Sequence, residues 1–442
     1  MAVGARTKYV LAMAGLGGLL YGIDFGTIAA AMPYMRELRL FPDTELSWVV
    51  GAVLFGGIVS SLSAGMLCER FGRRRMITAA AALFLVAIPV VCLSGGSLGT
   101  MIGGRVLQGM SAGYMSVVMP MYLTEVLPAG VRGRGTGVFQ FCLGLGLVLA
   151  ATVGYLVTVF LGAEAALAWK VNFWWTMVPV AILFAGSFAL GESPVWLRMR
   201  EGGAETKTAV GEDRSGLFRR KYVIPFLLVA LVLTFNKTTG MSSITSYSVV
   251  IFHKAGFAGS LGNVGDFAVK LTNLLVTLGA AALIDLKGRT FLLRLGTGGM
   301  TIGLAAIGIV FLAIERFGVE ATSLTGALCL GAFFLMQVFY ALGPGICVWL
   351  VLSELLPQRI RANGMAIALF MNQLVAWGLA SSFLPWVNRW GWYSMFFFFA
   401  ANGLLYFATV LFIPETKGKS LDELECIFEG KHQRKQRKRT SA

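Results

Sequence analysis

Twelve mostly apolar stretches follow one another along this chain, each near or above the roughly 20 residues that cross a hydrocarbon layer as a helix. They run at 8–31, 46–68, 76–95, 98–124, 136–161, 170–190, 221–252, 264–285, 290–314, 321–353, 363–388 and 391–413. Of the 442 residues 57% are hydrophobic and only 13% charged, too much apolar surface for one aqueous core to hide. Lipid is the expected solvent. Within it every backbone N–H and C=O must be satisfied inside the element, which selects helices, since no alternating strand pattern of a barrel is present. The expected fold is an all-α membrane protein with twelve transmembrane helices.

The basic residues orient such a chain. A net charge of +15 would suggest nucleic acid as a partner for a soluble protein. Here all but four of the 37 Lys and Arg residues (Arg105, Lys237, Lys270 and Arg294) fall between spans, as they do in cytoplasmic loops. With the N-terminus placed inside, the inner segments carry 27 of them and the outer segments 6. Both termini are therefore expected in the cytoplasm of a multi-pass cell (inner) membrane protein, in contact with membrane lipid and with no nucleic-acid partner. The first stretch, Tyr9 to Ala31, is long enough to span, and no small-residue cleavage pattern follows it. The cysteines show neither metal spacing nor a disulfide framework, so no metal and no cofactor are expected. His253 and His432 are the only histidines and form no catalytic cluster, so an enzyme is not expected.

Three segment pairs recur along the chain. Glu125 to Gly135 matches Glu354 to Gly364 at an offset of 229, Glu69 to Arg73 matches Asp285 to Arg289 at 216, and Glu192-Ser193 matches Glu415-Thr416 at 223. All six copies fall on the inner side, so the two six-helix halves have the same orientation, a parallel repeat about an axis along the membrane normal. The division is 1–191 for the N-terminal half, 192–220 for a cytoplasmic linker, 221–413 for the C-terminal half and 414–442 for a basic tail. Two such halves cradle a solute near the midplane and rock about it. Acid and base recur at the inner helix ends: Glu69, Arg73, Glu125, Arg132 and Glu192 in one half, Asp285, Arg289, Glu354 and Arg361 in the other. Pairing between halves there would hold the inner side closed; topology marking alone explains the arginines but not the repeated acids.

With these residues in view, a resemblance emerges. Gly65 to Arg74 looks like the signature loop of the major facilitator superfamily, with Glu69 in place of the usual Asp. Arg105-Val-Leu-Gln-Gly109, Pro120 to Glu125 running on to Arg132-Gly-Arg, Glu192-Ser-Pro-Val-Trp-Leu197, Gly343-Pro344 through Trp349 to Glu354, and Pro414 to Leu421 resemble its sugar porter family. The resemblance covers essentially the whole chain. It implies a secondary transporter of a sugar or sugar derivative, able to work as a monomer. It also implies that Gln140, Asn273, Trp349 and Asn372 contact the solute. Asn236-Lys237 stands where the family carries paired glutamines, and Ser242 where it carries an asparagine.

Ionisable groups inside a bilayer are costly and usually functional. Asp24 and Arg105 resemble the carboxylate and arginine of proton-coupled members of the family, which implies a proton as co-substrate. Burial disfavours a charged carboxylate and a nearby arginine favours it, so relative movement of the two would switch proton affinity. A static pair tying two helices together, in an uncoupled facilitator, is the alternative. Lys237 can attract an anion such as a hexuronate or other sugar acid, and Lys270 lies one turn before Asn273 on the same helix face. Alternatively both lysines snorkel to the outer surface.

Overall fold

The computed structural model describes residues 5–162, 164–201, 220–356 and 361–415, and every regular element among them is helical. In chain order these are α1 (Ala5–Glu37), α2 (Asp43–Phe71), α3 (Arg73–Cys92), α4 (Leu98–Val126), α5 (Ala129–Leu161), α6 (Ala165–Trp174), α7 (Met177–Ser187), α8 (Pro194–Glu201), α9 (Arg220–Thr238), α10 (Met241–Ala255), α11 (Leu261–Lys287), α12 (Arg289–Arg316), α13 (Ser323–Leu342), α14 (Pro344–Leu355), α15 (Arg361–Trp390) and α16 (Trp392–Leu411). They make twelve crossings. Ten segments are long and apolar enough to span by themselves. The other two crossings, α4 and α11, carry buried charges: Arg105 in α4, Asp266 and Lys270 in α11.

Three crossings are interrupted rather than continuous. The sixth breaks between α6 and α7, the seventh between α9 and α10, the tenth between α13 and α14. At the seventh, Gly240 adopts φ +77°, a left-handed conformation costly for any residue with a Cβ. At the tenth, Pro344 opens α14, where its missing N–H costs nothing.

Helices pack closely where glycines remove side chains. A Cβ on Gly109 of α4 would land on the Val53 carbonyl of α2, and one on Gly56 of α2 would land on the Val106 carbonyl. The Gly15-Leu-Gly17-Gly18 run behaves alike: a Cβ on Gly18 would strike the Phe139 carbonyl of α5. Gly65 is different. A Cβ there would meet nothing within 4 Å.

The halves obey the repeat. Helix α2 packs on α15 and α5 on α11. Since α2 corresponds to α11 and α5 to α15, these two contacts are one contact seen twice. The loop glycines correspond as well: Gly72 has φ 92° and ψ 163°, Gly288 has φ 91° and ψ 159°. Glu192 accepts from the backbone N–H groups of Arg73 (2.9 Å) and Arg74 (3.1 Å). Glu415 accepts in the same way from Arg289 (3.2 Å) and Thr290 (3.0 Å). In each half a carboxylate from beyond the last helix thus caps the helix N-terminus after the glycine turn, where free N–H groups and the dipole favour an anion.

Candidate functional site

Polar links between the halves gather at the end of the bundle away from the arginine-rich loops. Asn388 Nδ2 donates to Asp43 Oδ2 at 2.9 Å, and Arg36 grips the same carboxylate through two bonds of 2.9 and 2.7 Å. The Ser47 hydroxyl oxygen accepts from Tyr247 Oη at 3.3 Å and from the Leu384 N–H at 3.2 Å, joining α2, α10 and α15. Asn263 Nδ2 donates to Thr158 Oγ1 at 3.0 Å, joining α11 to α5. Tyr247 stacks flat on Phe383, ring centroids 4.5 Å apart, just inside this closure.

At the arginine-rich end the described acid–base contacts stay within one half. Arg73 Nη2 lies 2.8 Å from Glu125 Oε1, and Ser193 Oγ donates to the other carboxylate oxygen. The Glu69 side chain is exposed, while its carbonyl accepts from the Trp196 indole at 2.8 Å. Glu125 thus pairs with Arg73 of its own half, not with an arginine of the other half as a closed inner gate would require. The side chains of Arg132, Asp285, Glu354 and Arg361, and that of Trp349, lie outside the described residues. Arg289 contributes its N–H to Glu415.

A charged pair sits in the core of the N-terminal half. Arg105 Nη1 of α4 lies 3.4 Å from Asp24 Oδ1 of α1, and both side chains are buried. The same Nη1 donates to Gln108 Oε1 at 2.8 Å, and the guanidinium carbon lies 5.6 Å from the Phe173 ring centroid. Asp24 Oδ2 is buried with no hydrogen-bond partner. A buried, half-satisfied carboxylate beside a cation can take up a proton and lose its pairing when it does.

The residues expected to touch solute separate into two groups. Asn372 is buried, and its Nδ2 donates to the Leu233 carbonyl at 2.9 Å, tying α15 to α9. Asn236 is buried at the end of α9, where its carbonyl accepts from Thr239 Oγ1 at 2.8 Å. Gln140 is exposed, and Asn273 and Ser242 are half-buried. Lys237 Nζ donates to Ser242 Oγ at 3.2 Å across the α9–α10 break. Lys270 does not reach the surface: it is buried, and its Nζ lies 2.6 Å from Asp266 Oδ2. Ser248 Oγ of α10 donates to the other Asp266 oxygen at 2.5 Å. Snorkelling of Lys270 is thereby corrected, because an aspartate one turn earlier neutralises it in place.

Sequence reasoning passed over Asp266, Ser47, Asn263 and Tyr247. Asp266 carried a usable signal, an acid four residues before a base in an otherwise apolar helix. Ser47 and Tyr247 carried none, since one hydroxyl in a span reads as ordinary packing.

The profile of the Sugar (and other) transporter family matches this chain over residues 10–216 and 201–428. The arabinose-proton symporter of Bacillus subtilis is 30% identical, the alignment covering 94% of this chain and 93% of that one. The galactose-proton symporter of Escherichia coli is 28% identical over 95% of this chain and 94% of its own. Among solved structures, the D-xylose-proton symporter superposes with a TM-score of 0.80 at 23% identity, covering 94% of this chain and all 100% of that one. The inward open conformation of the E. coli xylose transporter also gives 0.80, at 23% identity, over 95% and 99% of the two chains.

Proposed function

The chain belongs to the Sugar (and other) transporter family, a multi-pass membrane fold and not an enzyme, and we propose that it moves a sugar or sugar derivative together with a proton by alternating access. The observation that carries this reading is the buried Asp24–Arg105 pair with one carboxylate oxygen unsatisfied. Relatives that are 28–30% identical over nearly their whole length are named sugar–proton symporters, which supports it.

The physical cycle follows from where the two halves touch. We take the arginine-rich end as cytoplasmic, with both termini inside a cell membrane. The closure built on Asp43, Ser47 and Asn263 is then the outer gate, and the described conformation faces inward. Protonating Asp24 removes its attraction for Arg105 and leaves a neutral acid among α1, α2 and α4. That change biases how these helices sit against each other as the halves rock. Solute held by Gln140, Asn236, Lys237, Ser242, Asn273, Trp349 and Asn372 draws α5 and the C-terminal half together around it. In the opposite state the inner gate would form from Glu125, Arg132, Glu354 and Arg361, with Glu69, Arg73, Glu192, Asp285 and Arg289 organising the loops beneath. One chain contains the whole site, so a monomer suffices.

The test is uptake into energised proteoliposomes with an inward proton gradient, on wild type and Asp24→Asn. Accumulation above equilibrium in wild type, lost in Asp24→Asn with counterflow exchange retained, is the expected result. Uptake that only equilibrates, and is indifferent to Asp24→Asn, would leave an uncoupled facilitator.

A further inference from the structure

Every basic side chain buried in the described structure faces a carboxylate. Arg73 has Glu125 at 2.8 Å, Arg105 has Asp24 at 3.4 Å and Lys270 has Asp266 at 2.6 Å. This is what removal of charge from water demands: an unpaired ion in a low-dielectric interior costs far more than a pair. Lys237, half-buried at membrane depth, has no such carboxylate among the described residues. Its Nζ touches the Ser242 hydroxyl at 3.2 Å, and it forms no ion pair among the described residues.

Its depth rules out relief at a surface. Lys237 stands seventeen residues from Arg220 and eighteen from Ala255, the two ends of the seventh crossing. That is about 25 Å of helix in each direction, well beyond a lysine's reach. Nor does it share the outward face of α9. Leu227 and Leu231, the strongly exposed side chains of that helix, lie roughly 80–120° around the axis from it. Its position coincides with the break at Gly240, where backbone leaves the helical ladder and α10 begins with a row of hydroxyls at Ser242, Ser243, Thr245 and Ser246. Irregular backbone at membrane depth is tolerated where it lines a protein cavity.

We infer that Lys237 is the counter-ion for an anionic substrate, and that the solute carried is a sugar acid whose carboxylate pairs with Lys237 while its hydroxyls meet the neighbouring amides and hydroxyls. The inference rests on the transporter reading above and narrows its substrate class. Each fully buried cation brings its own carboxylate; for Lys237, half-buried at the break, the carboxylate arrives with the cargo. Asn236 and Ser242 flank Lys237 on either side of the break. Asn273, one turn beyond Lys270 on α11, is half-buried and unused by the ion pair.

The experiment measures proton-gradient-driven uptake of labelled D-glucuronate, D-galacturonate and D-gluconate against D-glucose and D-galactose. Wild type, Lys237→Gln and Lys237→Arg are compared, each checked for a monodisperse profile and an unchanged unfolding temperature. The expected result is accumulation of at least one acid, with its neutral parent at least about tenfold poorer. Lys237→Gln should remove that preference and Lys237→Arg keep most of it. Accumulation of neutral sugars without any acid, or an acid preference unchanged in Lys237→Gln, overturns the inference and leaves the transporter reading standing. No driven uptake of either class overturns both.

Discussion

Arg105 reaches Asp24 through one nitrogen and one oxygen, 3.4 Å apart, while the second Asp24 oxygen lies buried and unbonded. The pair is weaker than a two-pronged fork would be, and Gln108 competes for the same nitrogen at 2.8 Å. A bond made to be lost should look like this. With a fixed solute concentration, uptake should rise as the outer pH falls, and Asp24→Asn should flatten that dependence. An Asp24→Asn protein whose uptake still tracks the gradient would remove Asp24 from the coupling step.

Arg105 and Asp24 should also be unequal in stability. Arg105→Ala leaves a buried carboxylate without its cation, which costs about 3–5 kcal/mol. Asp24→Asn leaves an arginine that still holds Gln108 Oε1 and, at 3.5 Å, the Val49 carbonyl. Thermal unfolding in detergent should therefore place Arg105→Ala well below Asp24→Asn, with the double variant recovering part of the difference. Equal losses would mean that the pair is not the main electrostatic link between α1 and α4.

Ser47 belongs to the closure at the end away from the arginine-rich loops. Its hydroxyl oxygen accepts from one side chain and one backbone group of the other half. Ser47→Ala removes both bonds, worth about 1–3 kcal/mol together, and in the proposed cycle moves the population away from the conformation closed at this end by roughly 5- to 150-fold. Distances between spin labels at the outer ends of α1 and α15 would report the shift. If the distribution stays unimodal and short, the closure is held by the close packing of α2 on α15, as where Gly51 meets Ser381.

Much of this is legible in the sequence, and the remainder has a physical pattern. The twelve crossings were legible as apolar runs, the parallel repeat as loop motifs recurring at near-constant offset, and the Asp24–Arg105 pair because ionisable residues rarely stand inside a membrane without cause. The three broken crossings were not. A break leaves the length of the span unchanged, and Gly240 reads as one more small residue where the chain turns. The loop acids were recognised as a repeated set, but not the Arg73 contact that Glu125 makes within its own half in this conformation. Sequence offset shows which positions are equivalent, whereas only packing shows that Arg73 reaches Glu125 from the adjoining loop.

Gly240 carries a direct consequence of that break. Its φ of +77° penalises any side chain, and a Cβ there would run into the Phe399 ring of α16. Gly240→Ala should destabilise the chain by about 1–3 kcal/mol and lower the transport rate, since the seventh crossing must bend at this point. Gly279→Ala, on α11 with nothing within 4 Å of its Cβ, is the matched control and should behave as wild type in unfolding temperature.

Asp266 and Lys270 provide the last test, because burial alone does not separate a structural pair from a working one. Asp266 accepts from Ser248 of α10 as well as from Lys270, so it ties the far half of the seventh crossing to α11. Asp266→Asn strands a buried ammonium group and should cost about 3–5 kcal/mol, with Lys270→Met milder because Asp266 keeps Ser248. Replacing both by Asn and Met removes the charge mismatch altogether. If the double variant regains the wild-type unfolding temperature and full gradient-driven uptake, the pair is structural and Lys237 remains the cation that meets the solute. If stability returns while uptake does not, α11 takes part in the transport cycle through its charges, and the polar row Asn263, Asp266, Lys270 and Asn273 becomes part of the path that the solute follows.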